Sequence, residues 1–255
     1  MLNKTRHPRL SWIRKTIKGF FLIAVSVFLF PAAIGYAQVT ITADPGVLPE
    51  QVAVAEEAAG KVQDVIKTTY GVELNSDVEI KLISEANPDG EEIGGNSSAG
   101  RIRIWLDPPK DNYKLAFLIS HEMVHQYQIE KVGKDTLNKN LWFAEGMADL
   151  IGVQAANDYD PGMAEAFVST ARKKGTRGNF CLAWIADRKA WQDAYQKKLA
   201  VYPKADLALL YLSSHYPPLL MWSYLYALRD SAADKALLTT YGLSIEKLDE
   251  ILLSY

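Results

Sequence analysis

Apolar and polar positions alternate with two different periods along the chain, and the change of period divides it into two halves. Val39–Ala43, Val78–Ile83 and Arg101–Leu106 alternate with a period of two residues, which predicts three short strands. Pro49–Thr69 repeats its apolar residues at helical spacing, and from Asp111 onwards the pattern is almost entirely helical. This order predicts an α+β fold with a small N-terminal sheet and a C-terminal helical lobe.

One long segment carries neither period. Glu85–Gly100 is rich in Gly, Asn and Ser, and it separates the second and third predicted strands. Loops of this length are usually functional or mobile. We expect it to be either a flap over a cleft or ordinary surface loop.

Charge is distributed unevenly between the head of the chain and the rest. Residues 1–37 contain six basic residues and no acidic one, which leaves 22 basic and 30 acidic residues in the remainder. The net charge of −2 for the whole chain therefore conceals a net charge of −8 for residues 38–255. This balance excludes a strongly basic nucleic-acid binder, and we expect no nucleic-acid partner.

The head has the three parts of a secretory signal peptide. A basic stretch ends at Lys18, an apolar run covers Phe20–Phe30, and Pro31 interrupts it before a small-residue segment that ends at Ala37. This order predicts export, with cleavage after Ala37.

The alternative is an uncleaved leader. Residues 20–37 are uncharged and would then anchor the chain in a membrane. The rest of the chain lies outside the cytoplasm in both cases, because the basic stretch is retained inside. The localisation expected is secreted or extracytoplasmic, with a membrane contact only if the leader stays attached.

The sequence His-Glu-Met-Val-His at positions 121–125 carries the candidate chemistry. It lies in the helical segment Asn112–Val132, where His121 and His125 are one turn apart on the same face. Two imidazoles at this spacing can bind one zinc ion, and Glu122 is then held beside the metal.

Composition leaves few other candidate ligands. The chain has four histidines and a single cysteine, which excludes a disulfide scaffold and a metal site made of cysteines alone. Zinc also needs a third protein ligand besides the two histidines. The candidate is Glu145, with Asp149 or Asp158 as the alternatives.

The two helical segments together resemble the gluzincin family of zinc metallopeptidases, of which thermolysin is the best known member. Trp142–Asp149 reads Trp-Phe-Ala-Glu-Gly-Met-Ala-Asp, which is similar to a pattern of the small bacterial peptidase MA-like group. Gln128 and Lys131 stand where a Gly and a His would extend the motif of residues 121–125 in a metzincin, so that class does not fit.

The resemblance implies a zincin-like fold that holds one Zn²⁺ ion. The ligands would be His121, His125 and Glu145, which lies 20 residues after His125. Glu122 would be the general base. Asp149 would orient His121 through a hydrogen bond.

Members of this family use a Tyr or His of the helical lobe to stabilise the oxyanion. The resemblance places this role near a Pro-Pro turn, on Tyr216 or, as the alternative, on His215. An ordinary helix-capping or packing role would explain the same two residues.

The strand before the first motif is the expected substrate-binding element. An exposed strand edge can pair with an extended peptide, and the alternative is a sheet edge kept soluble by arginines. The residues expected to bind substrate are Arg101, Ile102, Arg103, Ile104 and Trp105.

These features predict an exported zinc-dependent peptidase that hydrolyses peptide bonds with a zinc-activated water and Glu122 as base. Its partner would be a peptide or protein substrate. A signal peptide of residues 1–37 would precede a metallopeptidase domain of residues 38–255, divided into a sheet half (38–133) and a helical lobe (134–255). The alternative is a non-catalytic zinc-binding module for interaction or wall attachment, although such a module would be free to lose Glu122.

Overall fold

The structure is a computed structural model that describes residues 37–87, 94–176 and 180–255. The predicted signal peptide, with the alternative anchor, lies outside the described residues except for Ala37. None of the helices in the described ranges is both long enough and apolar enough to cross a membrane.

The architecture is α+β, with a small mixed sheet and a mostly helical body. A π-helical turn over Ile66–Tyr70 directly follows the first helix, and a 3-10 turn covers Leu182–Ile185. The strands are β1 (Val39–Ala43), β2 (Val78–Ala86), β3 (Gly95–Ser98) and β4 (Arg101–Asp107). The helices are α1 (Pro49–Val65), α2 (Asn112–Val132), α3 (Lys134–Leu137), α4 (Leu141–Ala156), α5 (Pro161–Gly175), α6 (Arg188–Gln196), α7 (Val201–His215), α8 (Leu219–Asp230), α9 (Ala233–Tyr241) and α10 (Ile245–Leu252).

The four strands lie in the order β1-β2-β4-β3. β1, β2 and β4 are parallel, and α1 forms the crossover between the first two. β3 pairs antiparallel with β4, with Ser97 opposite Ile102 and Gly95 opposite Ile104.

Two sequence predictions about this sheet are wrong. The segment from Glu85 to Gly100, which the sequence predicts to be a loop, contains the strand β3 (Gly95–Ser98). Arg101–Asp107 is therefore an interior strand, because β2 pairs with one side of it and β3 with the other. Its backbone groups are occupied by those two neighbours, so it cannot take up an extended peptide at an edge.

Helix α2 begins and ends at defined local signals. The Asp111 carboxylate accepts the backbone N–H of Lys114 at 2.7 Å, which caps the first turn. Gly133, with a φ of +82°, ends the helix in a conformation that favours glycine. The observed bounds, Asn112–Val132, are those predicted from the sequence.

Helices α2 and α4 form the centre of the molecule. They pack along each other, with α1 on α2 and α7 on α4, while β3 lies against α2. Nearly every residue of α4 is buried, Glu145 and Gln154 being the two exceptions. The pair is thus a rigid base, and this is where the two motifs lie.

Candidate metal site

The structure brings His121, His125 and Glu145 together at the interface of α2 and α4. The Nε2 atoms of the two histidines are 3.1 Å apart. The Oε2 atom of Glu145 lies 3.5 Å from His121 Nε2 and 3.6 Å from His125 Nε2. These residues form a group that could hold a metal ion.

The shape of this triangle suits a small divalent ion. Three donor atoms 3.1–3.6 Å apart share a centre that is about 2 Å from each of them, which is the length of a zinc–nitrogen or zinc–oxygen bond. Two imidazole nitrogens with one carboxylate oxygen are a donor set that zinc accepts. The side chains therefore fit the ion that the sequence predicts.

Each imidazole is oriented by a hydrogen bond from its other nitrogen. His121 Nδ1 lies 2.8 Å from Asp149 Oδ1. His125 Nδ1 lies 2.8 Å from Gln128 Oε1, and the Gln128 amide donates to the Ala144 carbonyl at 3.1 Å. Both contacts point Nε2 of the ring towards Glu145, and a bound metal would strengthen this tautomer.

Negatively charged side chains surround the imidazole rings of His121 and His125. Burial lowers the pKa of His121, but the carboxylates of Asp149, Glu145 and Glu122 outweigh it and hold that pKa well above its usual value. Burial alone would raise the pKa of Glu145, but the two histidines outweigh this effect and lower the pKa of the carboxyl. Without a metal, this group of side chains attracts protons, and a metal cation bound at the same place would displace those protons.

Glu122 is held on the sheet side of the site. The Ser97 hydroxyl donates to Glu122 Oε2 at 2.5 Å, and Glu122 itself is buried. A Cβ atom at Gly95 would lie 2.9 Å from Glu122 Cγ and 2.9 Å from Ile104 Cδ1. Only glycine leaves room at position 95 for this carboxylate, so β3 fixes where Glu122 stands.

Helix α7 approaches α4 closely beside the candidate metal ligands. A Cβ atom at Gly146 would lie 2.9 Å from the carbonyl oxygen of Ala205, so a larger residue would push the two helices apart. This close approach brings Asp206 to Asp149. Burial raises the pKa of Asp206 well above its usual range, and its hydrogen bond to Asp149 raises it further. The neutral form of Asp206 is thus favoured next to Asp149, the carboxylate that contacts His121.

Two tyrosines line the cleft that contains the site. Tyr202, at the start of α7, lies edge-on against Trp191, with 5.0 Å between ring centres, and Tyr195 packs against it from α6. Burial raises the pKa of Tyr202, and the carboxylates of Glu145 and Asp149 raise it further. Its phenol is therefore a hydrogen-bond donor at neutral pH.

The structure does not bring Tyr216 or His215 to the cleft. Both lie at the opposite end of α7 from Tyr202, about 20 Å away at 1.5 Å per residue. Tyr216 packs edge-on against Tyr241, and His215 stacks on Tyr211 at 4.2 Å. The prediction that one of them serves the site is wrong, because the helix between them and the site is four turns long.

Of the alternative ligands, Asp149 contacts Nδ1 of His121, and Asp158 lies elsewhere. Asp158 is mostly exposed and pairs with Lys61 at 3.2 Å. The acidic residue that joins the two histidines is Glu145.

The predicted substrate strand is largely buried or turned away. Ile102, Ile104 and Trp105 are buried in β4, and Arg101 does not line the cleft. Arg103 lines it from behind the edge strand β3. The strand at the cleft is β3 itself, which therefore replaces β4 as the candidate for substrate pairing.

Sequence reasoning missed the residues that position the others. Tyr202 and Asp206 are four residues apart on one helix, and this spacing is a usable signal for a shared face. Gln128 follows His125 by three residues, which is also a helical neighbour. Ser97 and Gly95 had no such signal, because their place depends on pairing with β4.

No family model and no curated protein matches this chain. The functional argument therefore depends on the geometry of the site.

Proposed function

We propose that this protein is an exported zinc-dependent peptidase, with His121, His125 and Glu145 as the zinc ligands. The observation that carries the proposal is the triangle of donor atoms 3.1–3.6 Å apart, with a second, separately held carboxylate in the same cleft. A purely structural zinc site is usually closed by four protein ligands. Three ligands and a neighbouring acid are typical of a catalytic one.

The arrangement of elements supports a zincin-like fold of the gluzincin type. The two histidines lie on one helix, the glutamate lies on the next long helix, and a sheet with an antiparallel edge strand lies beside the first. Asp149, four residues after Glu145, contacts the first histidine as the resemblance implies.

Zinc bound at this site would supply an open position for water, lower the pKa of that water and polarise a substrate carbonyl. Glu122 accepts the proton of the attacking water and passes it to the leaving amine. Ser97 keeps the Glu122 carboxylate on the cleft wall for both steps, since it donates to Oε2.

Tyr202 stabilises the oxyanion of the tetrahedral intermediate. It is protonated, lines the cleft and lies in the field of the site carboxylates. A phenol held by Trp191 and Tyr195 is pre-oriented, which is what an oxyanion donor requires.

The substrate backbone pairs with the outer edge of β3. Within the described part of the chain, β4 is the only strand that pairs with β3, so the other edge of β3 faces the cleft. An extended peptide added there would pass Glu122 and the metal ligands.

The proposal is tested by measuring zinc and hydrolysis on the same purified protein. We expect one zinc per chain, cleavage of a peptide library, loss of cleavage with a chelator and recovery when zinc is restored. One bound zinc with no cleavage of any peptide would favour the non-catalytic module. A protein that takes up no zinc would contradict the proposal altogether.

Replacing Tyr202 by Phe is expected to lower kcat about 100-fold, because loss of one oxyanion donor usually costs 10²–10³-fold. KM should change little, since the ring and its packing remain. Steady-state kinetics on the best library peptide measure both. Tyr216→Phe is the control and should leave kcat unchanged. If Tyr195→Phe causes the loss and Tyr202→Phe does not, the donor is Tyr195.

A further inference from the structure

The charged residues along the cleft are distributed unevenly. The cleft encloses about 840 Å³, and its only acidic lining residues among those described are the site carboxylates Glu122, Glu145 and Asp149. All the other charged lining residues of the described chain are basic. They are Arg103, Lys134 and Arg188. Outside the three site carboxylates, the charged lining of this cleft is thus basic, although the chain is acidic from residue 38 onwards.

None of these three cations is in an ion pair with a described residue. Arg188 Nε donates to Asn138 Oδ1 at 2.9 Å, which holds the guanidinium but leaves its charge uncompensated. Asp135 and Asp187 are sequence neighbours of the cations, but neither lines the cleft. The cleft therefore keeps uncompensated positive charge.

One of these cations stands where local structure disfavours it. Arg188 is the first residue of α6, and a cation in the first turn opposes the helix dipole. Lys134 lies just beyond the C-terminus of α2, where the dipole favours a cation. An anion in the cleft would be attracted by both.

The end of the cleft that carries Lys134 and Arg188, which we call the basic end, has a defined place. Lining residues of α2 run from Phe117 through the two histidines to Ile129, and Lys134 follows just beyond the end of the helix. From His125 to the helix end is about 10 Å at 1.5 Å per residue. An extended peptide covers this distance in about three residues.

We propose that Lys134 and Arg188 bind a carboxylate of the peptide substrate, so that acidic peptides are preferred. The inference rests on the proposed function, because it takes this cleft as the peptide-binding site. The carboxylate is either an Asp or Glu side chain, about two to four residues from the cleaved bond, or the C-terminus of the peptide.

The direction of β3 separates these two sources. Gly94, at its start, lies near Leu118, and the Ser98 carbonyl at its end accepts from Gln126 at 2.7 Å, so β3 runs in the same direction as α2. A peptide antiparallel to β3 has its N-terminal side at the basic end and presents a side chain there. A parallel peptide presents its C-terminal side.

The test uses quenched fluorescent peptides in which Glu or Gln occupies each of four positions on either side of the cleaved bond, as free acids and as amides. At low salt we expect one Glu position to raise kcat/KM about tenfold over its Gln match. The Glu/Gln ratio should fall towards one in a Lys134→Gln/Arg188→Gln double variant and at high salt. Lys189→Gln, which removes the adjacent charge on α6 outside the cleft, should preserve the ratio.

Binding gives a second readout that does not need turnover. With the zinc-loaded Glu122→Gln protein, the Kd for a labelled Glu peptide should be about tenfold lower than for its Gln match. A preference for free acids over amides, without a Glu effect, would identify the C-terminal carboxylate. Equal kcat/KM and equal Kd across the peptide series would overturn the inference and leave the peptidase proposal standing. A Glu preference that persists in the Lys134→Gln/Arg188→Gln double variant would overturn it as well. Absence of any cleavage would instead reject the proposed function.

Discussion

A Glu122→Gln variant is expected to lose about 10³-fold in kcat while it keeps one zinc per chain. Gln has nearly the same size and can still accept the Ser97 hydroxyl, so the cleft should keep its shape. It cannot take up the proton of the attacking water, and general acid–base catalysis contributes about 10²–10⁴-fold. Zinc content by mass spectrometry and kcat on the best peptide measure the two effects together.

Glu130→Gln is the matched control. Glu130 lies on the same helix as Glu122, but its carboxylate binds the backbone N–H groups of Asn75 and Ser76 at the far side. Its kcat should stay within about twofold, even if the loop at Asn75 becomes less stable. A Glu122→Gln protein with bound zinc and the parent kcat would reject Glu122 as the base. Loss of zinc in that variant would instead make Glu122 a ligand, contrary to the observed triangle.

The two motif helices could be predicted because their signals are local. Asp111 and Gly133 bound α2 in the sequence, and one helical turn decides that His121 and His125 share a face. The assignment of Glu145 as the third ligand depends on the family resemblance. Its place beside the histidines is decided by the packing of α4 on α2.

The parts that could not be predicted depend on contacts between distant segments. Gly95–Ser98 has no apolar alternation, because its inward positions are filled by a glycine and by a serine that serves Glu122. Without that strand, Arg101–Asp107 looks like an edge. The resemblance favours Tyr216, which precedes a Pro-Pro turn, but Gly146 brings the other end of α7 to the site and Tyr202 with it.

The same end of α7 is tied to the C-terminal helix by a buried ion pair. Lys204 is only 2% exposed, and its Nζ lies 2.9 Å from Asp249 Oδ1 in α10. The other oxygen of Asp249 accepts the backbone N–H of Leu182 at 2.8 Å, in the turn before α6. Lys204 stands between Tyr202 and Asp206 in sequence, so this pair holds the segment that serves the cleft.

Lys204→Met is expected to lower the free energy of unfolding by about 3–5 kcal/mol, because it leaves the Asp249 carboxylate without its cation. Met fills nearly the same space, so the loss reports the charge and not a cavity. Urea unfolding of the metal-free protein measures it, with an unchanged slope as the sign of an unchanged unfolding reaction.

The exposed pair of Lys247 and Glu250, at 2.8 Å on the same helix α10, provides the control. Lys247→Met makes the same substitution in water, where the partner is readily solvated, and should leave the unfolding midpoint unchanged. A Lys204→Met/Asp249→Asn double variant should recover part of the loss, since no buried charge is left and Asn still accepts from Leu182. If Lys204→Met unfolds at the same urea concentration as Lys247→Met, the buried pair does not hold α7, and the position of Tyr202 is decided by the contact of Gly146 with Ala205 alone.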